Sequence, residues 1–203
     1  MILKNVETKE DLSKYYHAFS KVFYEDSKEH NEHYYPMFNA YSKIEEQFNK
    51  DKNLLLYIEE DNEIIATIGV KDVRENEATL DVLTVNKEHR GKGYSSLLIK
   101  EVESRLLKKG ITNISLGARF RACPVYLKNG YLPTLLVQVN DFANINMIKE
   151  NNTFNYEIVN EYQNEVCGAV FYKVDRVSKE VIDHFENKVP TAHVSYIFTK
   201  TIG

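Results

Sequence analysis

The stretch Leu83-Thr84-Val85-Asn86-Lys87-Glu88-His89-Arg90-Gly91-Lys92-Gly93-Tyr94-Ser95-Ser96 carries the clearest chemical signal in the chain. A β-type run ends at Val85, a loop with two glycines and several basic side chains follows, and a helical period starts at once. Glycine lets a backbone adopt positive φ and approach a ligand closely. The unpaired N–H groups of a first helical turn point outward, and the helix dipole favours an anion beside them. Arg90 and Lys92 add positive charge, and Ser95 and Ser96 add hydroxyl donors. The segment predicts a phosphate or pyrophosphate site, although a Gly-x-Gly pattern also suits a solvated turn.

Two common phosphate motifs do not fit. A P-loop requires Gly-Lys-Ser/Thr, whereas Gly93 is followed by Tyr94 and Ser95. The dinucleotide fingerprint requires a third glycine, where Ser96 stands. It also requires an acidic residue about 20 positions on, where the chain reads Leu116-Gly117-Ala118-Arg119. The segment does resemble the acetyl-CoA motif of the GNAT superfamily of N-acetyltransferases, Arg/Gln-x-x-Gly-x-Gly/Ala after a strand, in its run Arg90-Gly91-Lys92-Gly93-Tyr94-Ser95. A second run, Ala122-Cys123-Pro124-Val125-Tyr126-Leu127-Lys128-Asn129-Gly130-Tyr131, is similar to the family's Ala-x-x-x-Tyr-x-x-x-Gly-Phe segment. The chain departs from the pattern at Ser95, where the family has Gly or Ala, and at Arg119, where many members carry asparagine.

The resemblance implies direct attack of an amine on an acetyl thioester, with acetyl-CoA as co-substrate and no acyl-enzyme. It implies cofactor contacts from Leu83, Thr84 and Val85, whose backbone would pair with the pantetheine arm, and from Arg90, Gly91, Lys92, Gly93, Tyr94, Ser95 and Ser96 around the pyrophosphate. The reaction needs a neutral amine, a donor for the oxyanion and a proton or hydrogen bond for the leaving thiolate. The resemblance assigns the oxyanion donor to a backbone N–H at residues 83–85 and the thiolate partner to Tyr126. Tyr126 is one of fourteen tyrosines, so its position and not its type singles it out; a core tyrosine of a short helix is the bland alternative.

The base is read from the residues. If Leu83 and Val85 face the cofactor, a period of two puts Thr79 and Asp81 on the same face. Asp81 then accepts the amine proton directly or through water, binds a cationic substrate, or sits at a sheet edge; Glu77 reads as a solvated turn residue. His30 and His33 have i, i+3 spacing, but no third ligand stands at a characteristic spacing, so the run 29–35 reads as a polar loop touching substrate and no metal is expected. Arg119 and Arg121 suit a carboxylate, a CoA phosphate or plain solvent. Cys123 has no His/Asp constellation and reads as packing.

These residues need a scaffold. The period of two in residues 2–6, 54–59, 64–72 and 78–85 predicts strands, the last three as an antiparallel meander. Apolar residues at Leu12, Tyr15, Tyr16, Phe19, Val22 and Phe23 form a helical stripe that Asp11 is suited to cap; residues 25–33 read as a loop. A second helix is expected over about residues 36–48, with Pro36 in its first turn. Leu97, Leu98, Val102 and Leu106 mark a third, closed by Lys108-Lys109-Gly110. A strand at 111–117, a short helix at 121–129 and a strand at 131–139 follow. The order β-α-α-β-β-β-α-β-α-β, with both motifs inside residues 2–139, predicts an α/β GNAT-like fold: a mixed, mostly antiparallel central sheet flanked by helices.

The expected division is a catalytic domain over 1–140 and a β-rich C-terminal extension over 141–203, packed on it or forming a small subdomain. The extension reads as helix 144–150, hairpin 155–162 and 166–174, helix 178–186 and strand 193–200. It is open to closing the acceptor side, mediating a homodimer or extending the sheet. With 203 residues, 43% apolar, 28% charged and net charge −4, the chain is an ordinary globular sequence without the basic field of a nucleic-acid binder. No apolar run approaches the ~20 residues of a membrane span, no signal peptide is visible, and two cysteines match no disulfide framework, so a cytoplasmic location is expected. The expected function is acetyl transfer to a primary amine of a small molecule, peptide or protein. The alternative is a catalytically silent acyl-CoA-binding module that recruits a protein partner.

Overall fold

The computed structural model describes residues 1–29, 40–141 and 144–203. The chain divides into two compact units, Met1–Ile114 with Thr201–Gly203, and Ser115–Lys200. The first unit begins with β1 (Ile2–Asn5), α1 (Lys9–Glu29) and α2 (Ala40–Asp51). It continues with β2 (Leu55–Glu60), β3 (Glu63–Arg74), β4 (Glu77–Val85) and α3 (Tyr94–Lys108). β5 (Asn113–Ala118) carries the chain into the second unit. There follow α4 (Cys123–Lys128), β6 (Leu132–Val139), α5 (Ile145–Glu150), β7 (Ile158–Gln163), β8 (Gly168–Lys173), α6 (Lys179–Lys188) and β9 (Ala192–Thr201). The order through β6 is the expected one, and the architecture is mixed α/β with antiparallel strand pairing flanked by helices.

In the first unit β1, β2, β3 and β4 pair in sequence, each antiparallel to the next. The β2–β3 turn is two residues, Asp61 and Asn62, at φ 51 and 64, the left-handed pair that matches strand twist in a tight hairpin. Leu55 and Tyr57 of β2 join Val82 of β4 under Leu12, Tyr15 and Phe19 of α1 and Ile44 of α2, forming one core. Leu56 and Ile58, the alternate residues of β2, are fully buried as well. Both faces of these strands are therefore covered, the second by α3, which packs on β2, β3 and β4. The buried stripe of α3 is Leu98, Ile99, Val102 and Leu106, whereas Leu97 is 41% exposed. The expected stripe is thus one residue out of phase at its start, because Leu97 and Leu98 are equally apolar.

Two features of α1 differ from expectation. Asp11 is not its N-cap. Thr8 Oγ1 accepts from Asp11 N at 3.1 Å, while the Asp11 carboxylate accepts from Glu7 N at 3.1 Å and Thr8 N at 2.9 Å. This is a reciprocal capping box in which Asp takes the acid position three residues after the cap. Thr8→Ala is expected to cost about 1 kcal/mol of stability, read as a lower urea midpoint with an unchanged slope. The helix also runs on to Glu29, so residues 25–29, expected in a loop, complete its last turns, with Ser27 buried. Their charges pair outward instead of breaking the helix, as shown below. Pro36 and the rest of the expected start of the second helix, like His30 and His33, lie outside the described residues.

In the second unit β6 pairs with β9 on one side and β8 on the other, and β7 forms the hairpin partner of β8. Gly168 opens β8 where α5 crosses closely; an added Cβ would stand 3.1 Å from Ile145 Cβ. α6 starts at Ser178, whose Oγ accepts from Val181 N at 3.4 Å, and it buries Val181 and Phe185. Both cysteines are free, Cys123 fully buried. Among the described residues no helix is long and apolar enough to cross a membrane, and no group of His, Cys, Asp and Glu is placed to hold a metal ion.

Candidate functional site

The loop between β4 and α3 turns on two left-handed glycines. Gly91 and Gly93 stand at φ 78 and 86, a region that other residues enter at a cost. A Cβ added to either meets no atom within 4 Å, so the glycines are required by backbone conformation and not by crowding. Gly93 is the N-cap of α3 and makes no side-chain cap; the first turn holds no acidic residue. The first intrahelical bond runs from Leu97 N to Gly93 O at 3.1 Å. Tyr94, Ser95 and Ser96 occupy the turn before it, with their amides at the positive end of a 15-residue helix.

The basic side chains of the loop are used differently from one another. Arg90 Nε donates to Val85 O at 3.0 Å, and its guanidinium donates to Asp26 at 2.8 Å. Lys87 bridges to Glu29 at 2.9 Å. His89 Nε2 lies 3.2 Å from Glu60. Three pairs, two to the last turn of α1 and one to the end of β2, thus hold the loop, and Arg90 is directed into that framework. Each exposed pair contributes little stability alone. Together they fix the loop and neutralise two of its cations, leaving the helix terminus, Lys92 and the serines as its anion-attracting parts. Asp26, Glu29 and Glu60 had no motif to announce them.

Leu83, Thr84 and Val85 pair in register with Ile68, Thr67 and Ala66 of β3. The Thr84 hydroxyl is buried and shares a 2.7 Å hydrogen bond with that of Thr67, so Thr84 offers a ligand its backbone alone. Upstream, the β3–β4 ladder breaks twice. Gly69 pairs with Val82, Val70 with Leu80 and Asp72 with Thr79. Asp81 and Lys71 are the residues left over, and they pair with each other at 3.3 Å. Bulges of this kind redirect side chains. The period of two that placed Asp81 on the face of Leu83 and Val85 is interrupted at Asp81 itself. The carboxylate is one-third exposed and lines a pocket together with Tyr15 of α1.

Tyr126 belongs to the second unit, on α4, and is 7% exposed. Its ring packs against Tyr131 and Phe198, with centroids 5.9 and 5.4 Å away. Burial, followed by the neighbouring Cys123, pushes its phenol up to about 12, so it is a protonated donor at neutral pH. Burial likewise pushes the Cys123 thiol up to about 11, and its Sγ donates to Arg119 O at 3.5 Å. A thiol so protonated is no nucleophile, which agrees with reading Cys123 as packing. The structure brings Leu83–Val85 and residues 90–96 together in the first unit, with Asp81 farther back along β4.

Among curated proteins none matches this chain. In solved structures, an acetyltransferase of the GNAT family from Staphylococcus aureus Mu50 has a TM-score of 0.59 at 12% identity, over 100% of this chain and 99% of its own. The N-acetylglutamate synthase from Neisseria gonorrhoeae, complexed with coenzyme A and N-acetyl-glutamate, has 0.50 at 10% identity, over 100% of this chain and 35% of that one. PaiA N-acetyltransferase from Thermoplasma acidophilum, in complex with coenzyme A, has 0.49 at 18% identity, over 85% and 99%. At these identities the first two show a shared fold alone. The family model described as "Acetyltransferase (GNAT) family" matches residues 12–131, more than half of the sequence and inclusive of both motifs. The chain belongs to the GNAT family of acetyltransferases.

Proposed function

We propose that this protein transfers an acetyl group from acetyl-CoA to a primary amine of a small molecule, peptide or protein. The observation that carries the reading is the uncapped N-terminus of α3 behind Gly91 and Gly93, held open by positive φ and anchored through Arg90. A pyrophosphate fits it: the site supplies backbone donors, a positive dipole end and no acid in the first turn. The gonococcal synthase, of which 35% shares this fold, is complexed with coenzyme A.

Acetyl-CoA supplies the acetyl group as an activated thioester. In this reading Lys92, Ser95, Ser96 and the first-turn amides hold the pyrophosphate, while Gly91, Gly93 and Tyr94 shape its cradle and Arg90 braces it from below. The backbone of Leu83, Thr84 and Val85 lines the pantetheine arm, and one of its N–H groups donates to the acyl oxygen as negative charge develops there. Asp81 takes the proton that the amine loses. Tyr126, kept protonated by burial, donates a hydrogen bond to the departing sulfur. Because Cys123 is protonated and buried, the chain offers no thiolate there to accept the acetyl group first. Two free thiols suit a reducing compartment, and we assign the protein to the cytoplasm.

Titration calorimetry tests the reading. Acetyl-CoA is expected to bind with an affinity of about micromolar order. S-Acetylpantetheine, which lacks the pyrophosphate, is expected to bind at least about tenfold more weakly. A folded protein that gives no heat with acetyl-CoA removes the basis of the proposal. Binding without release of free CoA thiol in the presence of any amine of a broad panel would instead fit an acyl-CoA-binding module.

A further inference from the structure

The second unit exposes a run of apolar side chains along its edge. Ile158, Val159 and Tyr162 of β7 and Val166 of the turn after it all meet solvent, Val166 by 71%. No residue of β7 is buried on either face. β7 pairs with β8 and is the last strand of the sheet, so its outer backbone groups have no ladder partner among the described residues. Such an edge is a template for another strand, and chains that keep it single commonly place lysine or proline along it. β7 reads Ile158-Val159-Asn160-Glu161-Tyr162-Gln163 and holds neither. Its acid, Glu161, is paired with Lys149 of α5 at 2.7 Å. A bulge at Val159 confines the regular ladder to residues 160–163.

Hydrogen-bond directions fix which groups that edge offers. Asn164 N donates to Cys167 O at 3.0 Å where the hairpin turns back, so the backbone of Asn164 faces β8. By the alternation of an antiparallel ladder the backbones of Tyr162 and Asn160 face β8 too, and their partners there are Ala169 and Phe171. The N–H and C=O of Glu161 and Gln163 therefore point out of the sheet. In agreement, Glu161 N donates to the Asn160 side chain at 2.9 Å and not to a strand. The Tyr162 hydroxyl accepts from Asn164 Nδ2 at 2.8 Å, which holds its ring beside the strand.

We propose that β7 takes β7 of a second copy of this chain, antiparallel, so that the sheet continues across a twofold axis at Tyr162. A twofold interface sets the same surface against itself, and a ladder needs outward-pointing residues opposite outward-pointing residues. Charge and the bulge select among the registers that meet this condition. Glu161 opposite Glu161 juxtaposes like charges, and Gln163 opposite Gln163 sets Glu161 against Glu165. Glu161 opposite Val159 runs the ladder into the bulge. Glu161 opposite Gln163 has neither fault. There each Glu161 exchanges its backbone N–H and C=O with Gln163 of the second copy, and the two Tyr162 side chains form the close, non-hydrogen-bonded pair on the axis. Asn160 then lies opposite Asn164, and Ile158 comes against Val166 and covers it. Glu161 N gives up the Asn160 side chain for a ladder bond. The inference stands apart from the acetyl-transfer reading, since it uses no residue of that site.

Analytical ultracentrifugation of the full chain over a dilution series tests the pairing. Wild type is expected to sediment as a dimer at high micromolar concentration and to dissociate on dilution. Gln163→Pro removes an N–H that faces solvent in the monomer, a place where an edge strand tolerates proline. By symmetry it deletes a hydrogen bond on each side of the axis, so dimerisation should weaken by about tenfold or more. The melting temperature of dilute protein should stay near that of wild type. Tyr162→Lys sets like charges together on the axis and should break the dimer through an exposed side chain, whether or not the proline variant folds. Tyr162→Cys in a Cys167→Ser background should oxidise to a disulfide-linked dimer. Opposed residues of this kind stand about 4.5 Å apart at Cα, within disulfide reach, and Cys123 is fully buried. A wild type that stays monomeric at every concentration overturns the inference. A dimer that Gln163→Pro and Tyr162→Lys both leave intact overturns it as well, because its interface then lies elsewhere. A dimer that these variants break but that Tyr162→Cys fails to cross-link overturns the axis at Tyr162.

Discussion

Tyr126→Phe is expected to lower kcat for acetyl transfer by about 10²–10⁴-fold, the range for loss of a positioned proton donor, with the affinity for acetyl-CoA unchanged. The ring is held by shape. It packs edge-on against Tyr131 and tilted against Phe198, and only 7% of the residue meets solvent. Phenylalanine preserves those contacts and the volume of the site, so the variant should melt near the wild type. The substitution removes a hydroxyl that burial keeps protonated to about pH 12. A group with so high a pKa donates a hydrogen bond throughout the physiological range, and it stabilises the departing thiolate as a donor, since full transfer of its proton to a thiolate whose thiol has a pKa of about 8.5 is uphill. Single-turnover rates with acetyl-CoA and a reactive amine measure the effect directly. An unchanged rate would make Tyr126 a packing residue and move the proton donor elsewhere. Acyl donors with more acidic leaving thiols provide a second check, since they need the proton less and should recover part of the lost rate.

How much of this was legible in the sequence depends on the range of the interactions involved. The loop and the elements around it could be read because their determinants are local. A positive φ favours glycine at 91 and 93, and the strand, loop and helix are contiguous in the chain. The hairpin at Asp61-Asn62 is of the same kind. Asp81 was found but its surroundings were not. Whether a strand keeps its period of two depends on its partner, and the two register shifts involve residues of β3 and β4 together. No pattern within residues 78–85 reports them. The sequence shows Arg90 as added positive charge but not its carboxylate partner, Asp26, which is 64 positions away and on another element. Asp11 is suited to cap α1 by its type, but Thr8 is as good a capping residue, and only the hydrogen-bond directions show that Thr8 is the cap and Asp11 its partner.

Ser95→Asp separates the stability of the free protein from its ligand binding, because the two respond in opposite directions. Ser95 is the second residue of α3, beyond an N-cap that supplies no side chain, in a turn without any acid. A carboxylate there interacts favourably with the helix dipole, by about 0.3–1 kcal/mol, so the variant should unfold slightly later than wild type. The same carboxylate stands where the pyrophosphate is proposed to bind, and like-charge juxtaposition costs several kcal/mol. At about 1.4 kcal/mol per factor of ten, acetyl-CoA affinity should fall by roughly 100-fold or more. Ser95→Asn has nearly the same shape without the charge and is expected to keep most of the binding. Ser95→Ala restores the family's small residue and should bind at least as well as wild type. S-Acetylpantetheine, without phosphates facing α3, should bind all four proteins alike. A helix that the new carboxylate stabilises while acetyl-CoA binds as before would place the pyrophosphate away from α3 and leave Gly91 and Gly93 as a turn. A helix that both gains stability and rejects acetyl-CoA would show that one pole serves two anions, the introduced carboxylate in cis and the cofactor in trans.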